Sequence, residues 1–193
     1  MDAFQHFNTT LSAFAEIPDK EMARMRSISQ VRHLSSGEIF IRAGETPRRF
    51  AFVHEGLFRY TYSDNEGHVY TKGFIQEGRF LSSYSAMIEE RPSHFTVEAL
   101  EDSVVIVIPF SDWLLLKRGV LCWNELLVAL LEYGFSVKEA REREFLLFDA
   151  QQRYRSFLAS YPGLENRVRQ HLIASFLGIT PESLSRIRNT LEH

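Results

Sequence analysis

Between Ser29 and Pro109 the chain is cut into short β-branched and aromatic runs, and this punctuation limits the fold more than any other feature. The runs are Val31–Leu34, Ile39–Ile41, Phe50–Val53, Leu57–Tyr62, Val69–Ile75, Phe95–Leu100 and Val104–Ile108. Gly37, Gly44, Gly56, Gly67 and Gly78 fall at their ends. Side chains of this type suit a pleated, half-buried surface, and a strand every ten residues or so leaves room only for hairpin-like connections. An all-β sandwich or barrel is therefore predicted for this part of the chain.

The strand texture breaks between Gln76 and His94. Ser82–Ile88 reads as a short helix starting inside the sheet, followed by a loop at Arg91-Pro92-Ser93. The first N–H groups of a helix are unpaired, so hydroxyls gathered there form a candidate cradle for an anion or polar ligand. Arg79, Ser82, Ser83, Ser93 and His94 are the candidate effector-pocket residues. A plain crossover connection is the alternative.

Helical spacing governs both flanks. Phe4, Phe7, Leu11 and Phe14 share one face of a first helix, and Pro18 opens a second through Glu21, Met22 and Met25. After Pro109, Ser111 is positioned to cap a short helix through Trp113 and Leu116, and Gly119 separates it from a long helix over residues 121–148. On that helix Trp123, Leu126, Leu130, Tyr133, Val137, Ala140, Glu144 and Leu147 step alternately by three and four, the spacing of a coiled-coil seam. Leu127, Val128 and Leu131 make its first half apolar on a second side. Two apolar sides predict two neighbours, the β domain and the same helix of a parallel homodimer; a core helix within one monomer is the alternative. Asp149 then caps a helix through Tyr154, Phe157 and Leu158 that Pro162-Gly163 ends.

The stretch from Gln170 to Arg188 reads QHLIASFLGITPESLSRIR. Leu172, Ile173, Phe176 and Leu177 form the buried side of one helix, which Gly178 stops. Thr180 caps a second helix with proline at its first position and Glu182 in its first turn. Leu184 and Ile187 turn inward, leaving Glu182, Ser183, Ser185, Arg186 and Arg188 outward. This is the pattern of a helix-turn-helix whose second helix enters the major groove, with an ordinary helical hairpin as the alternative. Thr180, Glu182, Ser183, Arg186 and Arg188 are the candidate DNA-binding residues.

Charge agrees with that placement. The 193 residues carry a net −3, yet residues 149–193 hold six arginines against four acids and residues 1–148 sum to −5. The positive end is the one that phosphates require. With 45% hydrophobic and 24% charged residues the chain is globular. Its single cysteine, Cys122, excludes an internal disulfide and a cysteine-ligated iron–sulfur cluster within one chain. No apolar run has membrane-span length and no signal peptide is legible, so a cytoplasmic protein is expected. Leu191-Glu192-His193 resembles the start of a histidine tag and is set aside.

A glycine-punctuated β domain, a helix break within it, a long helix and a helix-turn-helix follow one another in the order of the Crp/Fnr family of bacterial transcription regulators. The chain resembles that family over nearly its whole length, in Gly37, Gly44, Gly56 and Gly78, in Phe148-Asp149, in Arg153 and in Ile173–Ile187. The resemblance implies an α+β fold: an N-terminal β-roll (a jelly-roll-like, double-stranded β-helix) as sensor over residues 1–120, a dimerisation helix over 121–148 and a DNA-binding domain over 149–193. It implies a homodimer on a roughly palindromic duplex, RNA polymerase as a further partner, and neither catalytic nor metal-binding residues. Base-reading positions fall on Pro181, Glu182 and Arg186. Carboxylate and guanidinium suit cytosine and guanine, whereas Pro181 replaces a base-contacting arginine with a residue that has nothing to donate. A β wing after the recognition helix is not expected.

The sensor departs further from the family. Ser82-Ser83 stands where nucleotide-binding members carry a Gly-Glu pair, and Ser93-His94 where they carry the Arg-Ser pair that meets the cyclic phosphate. A degenerate pocket that does not take cyclic AMP is expected, and no cofactor. Two other classes compete: a sensor acting through a protein partner, against which the basic final helix argues, and a cupin-like metal enzyme. The latter needs clustered histidines, and His33, His54, His68 and His94 are scattered.

Overall fold

The computed structural model describes residues 1–191; Glu192 and His193, two of the three tag-like residues, lie outside the described residues. The chain divides into two compact units. The first comprises Met1–Val69 and Gly73–Glu132, the second Tyr70–Lys72 and the chain from Tyr133 onward.

The first unit is built on eight strands: β1 (Gln30–Leu34), β2 (Ile39–Ile41), β3 (Arg49–Glu55), β4 (Phe58–Ser63), β5 (Val69–Ile75), β6 (Phe80–Leu81), β7 (Thr96–Ala99) and β8 (Ser103–Pro109). They form two four-stranded sheets, ordered β1-β8-β3-β6 and β2-β7-β4-β5. Seven strands are those expected. The eighth, β6, is two residues long and was not; it pairs Leu81 with Ala51 and Phe80 with Phe52.

Alternation along β3 and β8 explains their nearly unbroken apolar sequences. Ala51, Val53, Val105 and Val107 face a core shared with Phe40, Ile41, Phe58, Val97 and Ala99 of the opposite sheet. Phe52, Ile106 and Ile108 face the other way, into a second core under helices. A sheet covered on both faces has no polar side to present. That outer cover consists of α1 (Ala3–Ser12), α2 (Asp19–Ser27) and α4 (Phe110–Gly119), joined by the start of α5 (Leu121–Leu147). Phe7 and Leu11 of α1 and Met25 of α2 are fully buried there, as their spacing predicts. α4 starts at Phe110 with Pro109 at its N-cap, so Ser111 is not the cap; its hydroxyl donates to Asp112 one residue on.

Trp123 corrects the reading of α5. Its ring is wholly buried, edge-on to Trp113 with centroids 5.8 Å apart, and its indole N–H donates to the Glu21 carboxylate at 3.1 Å. That donor and the adjacent Arg24 hold the Glu21 carboxyl below the usual glutamate range. Leu126 is buried in the same core and Leu130 packs against it. The front of the expected dimer seam is thus core of its own unit. The opposite side of the helix is the open one: Leu121, Val128, Leu131 and Phe135 are 70%, 52%, 44% and 67% exposed. Further along, Tyr133, Val137 and Leu147 of the expected seam are exposed and Ala140 is half-buried.

In the second unit, α6 (Ala150–Ser160), α7 (Gln170–Leu177) and α8 (Pro181–Leu191) follow α5. Asp149 caps α6 through a reciprocal box with Gln152, each side chain accepting the other's backbone N–H at 2.8–2.9 Å. Gly163 at φ 80° starts a single 3₁₀ turn over Leu164–Asn166 before α7. Tyr154, Phe157, Leu164, Ile173, Phe176 and Leu184 are among its buried residues. Among the described residues no helix is long and apolar enough to cross a membrane.

Candidate functional site

Two places gather the residues singled out by sequence. The first is α7, its turn and α8. Gly178 sits at φ 68°, ψ 37°, the left-handed position that ends a helix. A side chain there would also meet the Phe145 ring, since a Cβ would lie 3.1 Å from it. The turn satisfies the last carbonyls of α7 in order. Ile179 N–H donates to Ala174 O and Gly178 N–H to Ser175 O, while Phe176 O receives the guanidinium of Arg141 from α5. The Arg141 plane lies 3.7 Å from the Phe176 centroid and 4.6 Å from that of Phe145. On the other side Arg153 approaches Phe145 at 5.2 Å and donates to Phe148 O. Burial lowers the Arg141 pKa from its usual range; Tyr161 and Glu144 act against that shift and Arg153 with it.

Thr180 caps α8 as expected: its hydroxyl oxygen accepts the Ser183 N–H at 3.2 Å. The Thr180 hydroxyl also meets that of Ser183, which is half-buried, so Ser183 serves the cap rather than the outer face. Pro181 is the first helical residue, and buried Leu184 anchors the helix. The exposed face carries Glu182, Ser185, Arg186 and Asn189, three and four residues apart. Ser185 was recognised as outward but not as a site residue. Asn189 was missed, although its i+3 relation to Arg186 places it on that face. Arg188 is half-buried and turned away from Arg186. Glu182 titrates below the usual glutamate range, first because of the free N–H of this helix end, then through Thr180 and Arg186.

The second place is the serine cluster of the β-roll. α3 spans Tyr84–Ile88, starting two residues later than Ser82, and Ser83 occupies its N-cap without a side-chain capping bond. Ser83 and Ser93 are brought together and buried. The Ser83 hydroxyl donates to Ser93 Oγ at 3.0 Å, and the Ser93 hydroxyl donates to Phe95 O at 2.8 Å. Ser82 donates its N–H to the Tyr60 hydroxyl at 3.0 Å, while its own hydroxyl is buried without a hydrogen-bond partner. Burial pushes the Tyr60 phenol up to about 12, and its ring stacks on Phe95 at 5.0 Å. Arg79 and His94 are exposed. Arg91, the cation nearest in sequence, is engaged by Glu89 and His94 in the same surface loop. Phe80 of β6 packs under α1 with Phe7 and Phe52.

Histidines do not converge on a metal-like centre. His6 and His54 meet through Nδ1 atoms 3.1 Å apart, and among the described residues no three His, Cys, Asp or Glu side chains are grouped to hold a metal ion.

Residues 31–117 match the sequence profile of the cyclic nucleotide-binding domain. Solved structures superpose over nearly the whole chain. One is the c-di-GMP-responsive global regulator CLP of Xanthomonas campestris, 15% identical over 91% of this chain and 92% of that one, with a TM-score of 0.72. Another is FixK2 of Bradyrhizobium japonicum, 19% identical over 86% and 85%, TM-score 0.75. A third, described as a transcriptional regulator of the Crp/Fnr family from Eubacterium rectale, is 16% identical over 91% and 84%, TM-score 0.71. The chain has a Crp/Fnr-type fold, and residues 31–117 are similar to a cyclic nucleotide-binding domain. No curated protein matches it by sequence. In this Crp/Fnr-type fold the serine cluster falls inside the profile-matched domain and α7–α8 outside it.

Proposed function

We propose that the chain is a homodimeric, sequence-specific DNA-binding transcription regulator whose nucleotide chamber has lost its cyclic-nucleotide chemistry. The observation that carries the reading is the outer face of α8, where Glu182, Ser185, Arg186 and Asn189 are exposed on a helix capped by Thr180 and anchored by Leu184. Carboxylate, amide and guanidinium groups are the side chains that read base edges in a major groove. Arg186 is the guanine reader in this scheme, and half-buried Arg188 contacts phosphate. Arg186→Ala is expected to cost about 1–3 kcal/mol on the operator and relax one base pair of its sequence. Arg188→Ala is expected to weaken all duplexes alike and flatten the salt dependence. Fluorescence anisotropy on selected and scrambled duplexes separates the two; equal loss on both for Arg186→Ala rejects its role.

Dimerisation through the open side of α5 follows from the apolar stripe of Leu121, Val128, Leu131 and Phe135. The sensor reading rests on chemistry already used up. Ser83 and Ser93 satisfy one another, and the guanidinium of Arg91 is held by Glu89 and His94 rather than offered to a cyclic phosphate. A charge-assisted phosphate contact is worth about 1.5–3 kcal/mol, a large share of a small ligand's affinity. Calorimetric titration with cyclic AMP and cyclic GMP is expected to give no saturable heat up to millimolar nucleotide. Micromolar binding that tightens DNA affinity would overturn this part of the proposal.

A further inference from the structure

One polar contact in the second unit that the reading face does not use is the one Arg141 makes with the Phe176 carbonyl. Helix α7 has no basic residue of its own in its last turn. Two of its last carbonyls are closed by the Gly178 turn, and the Phe176 carbonyl is closed from outside, by the guanidinium of Arg141. A cation at a helix C-terminus interacts favourably with the dipole as well as with the carbonyl. The same guanidinium lies over both the Phe176 and the Phe145 rings. Phe145 in turn touches the Gly178 turn, and Arg153, from α6, covers it as well. α5, α6, α7 and the turn that launches α8 thus converge on one cation and two rings. Lysine cannot replace this arrangement, because a point charge neither stacks as a plane nor donates in a fixed fork.

We propose that Arg141 is a positioning residue for the DNA-reading helix, fixing through the Phe176 carbonyl and its contacts with the Phe145 and Phe176 rings the angle at which α8 is presented by α5. The inference rests on the DNA-binding reading above. If α5 also forms the dimer, Arg141 sets the distance between the two reading helices, and hence the half-site spacing the protein prefers. A residue that merely adds stability would leave that spacing preference alone.

The test compares wild type, Arg141→Gln and Arg141→Lys on the duplex that the wild-type protein selects from a randomised library, and on the same duplex with one base pair inserted or removed between half-sites. Wild type is expected to prefer its own spacing strongly. Arg141→Gln is expected to lose tenfold or more on the native spacing, to bind the altered spacings nearly as well, and to keep its affinity for random duplex and its salt dependence. Arg141→Lys is expected to behave like Arg141→Gln. Loss of one unit of salt slope on all duplexes would make Arg141 a phosphate contact and overturn the proposal. So would an unchanged spacing preference, or full rescue by lysine. Hydrogen exchange on the protein without DNA gives an independent arm. The amides of Gly178 and Ile179 are expected to exchange at least tenfold faster in Arg141→Gln while those of β3 and β8 do not change. Unchanged exchange at the turn overturns the positioning role even if no duplex is ever bound, whereas failure of wild type to select any duplex rejects the DNA-binding reading alone. Should Arg141→Gln lose helical ellipticity, Arg141→Lys decides on the same two readouts.

Discussion

Replacing Val128 and Phe135 together by glutamate is expected to turn the protein into monomers in light scattering and to lower operator affinity at least about a thousandfold. The two side chains sit seven residues apart on the open side of α5 and are largely exposed in the single chain. Burying a valine or phenylalanine is worth about 1.5–3 kcal/mol, and a two-fold interface counts each twice. Losing two of each removes roughly 6 kcal/mol or more, and a tenfold change in affinity needs only about 1.4 kcal/mol. Four carboxylates brought together would add repulsion. The double variant should keep its thermal stability as a monomer, because neither position belongs to the core. Leu130→Glu with Val137→Glu would not separate the effects, since Leu130 packs against its own unit's core cluster. A double Val128/Phe135 variant that still elutes and scatters as a dimer would place the interface elsewhere.

Gly56→Ala is expected to destabilise the first unit by about 2–6 kcal/mol, read as a lowered urea midpoint. Gly56 ends β3 at φ 108°, and an added Cβ would lie 2.0 Å from Ser103 Oγ, 2.5 Å from its Cβ and 2.9 Å from its Cα. The backbone strain alone costs about 1–3 kcal/mol. Overpacking adds about 1–3 kcal/mol more, and the side chain cannot move away because Ser103 opens β8 beneath it. The Gly56 N–H also donates to Glu77 Oε1 at 3.1 Å, a bond that a shift of the turn would break. Set against the 5–15 kcal/mol that typically holds a domain, this is a large fraction. Gly37→Ala is the control, with a similar φ of 85° but nothing within 4 Å of its Cβ, so only the strain should remain. Equal midpoints for the two variants would show that Ser103 yields.

How far the fold could be read in advance followed from how local each signal was. Seven strands were legible because β-branched and aromatic runs carry their own preference for the pleat, while β6 has two residues and exists only because β3 lies alongside. The front of α5, at Trp123 and Leu126, was read as facing a partner for a different reason. Steps of three and four identify a buried stripe, and both sides of this helix are apolar near Val128, so spacing could not say whether α2 and α4 or a second copy covers Trp123. In the roll, Ser83 and Ser93 each looked like a free donor, and only the fold brings together two hydroxyls ten residues apart in sequence. Arg141 lies in the charged run Lys138-Glu139-Ala140-Arg141-Glu142-Arg143-Glu144, which reads as a solvated surface. Nothing local tells which of its cations will meet Phe176.

Both tryptophans of the chain, Trp113 and Trp123, lie in the first unit, buried and edge to face. Intrinsic emission is therefore a one-sided reporter. It follows the core beneath α1 and α2, and the carboxylate of Glu21 beside the indole N–H makes it sensitive to acid there. The second unit contributes only tyrosines, Tyr133, Tyr154 and Tyr161 among them, and stays dark when the indoles alone are excited. A chain in which α7 and α8 had melted would still emit as though native, so a single smooth fluorescence transition is no proof that the two units unfold as one.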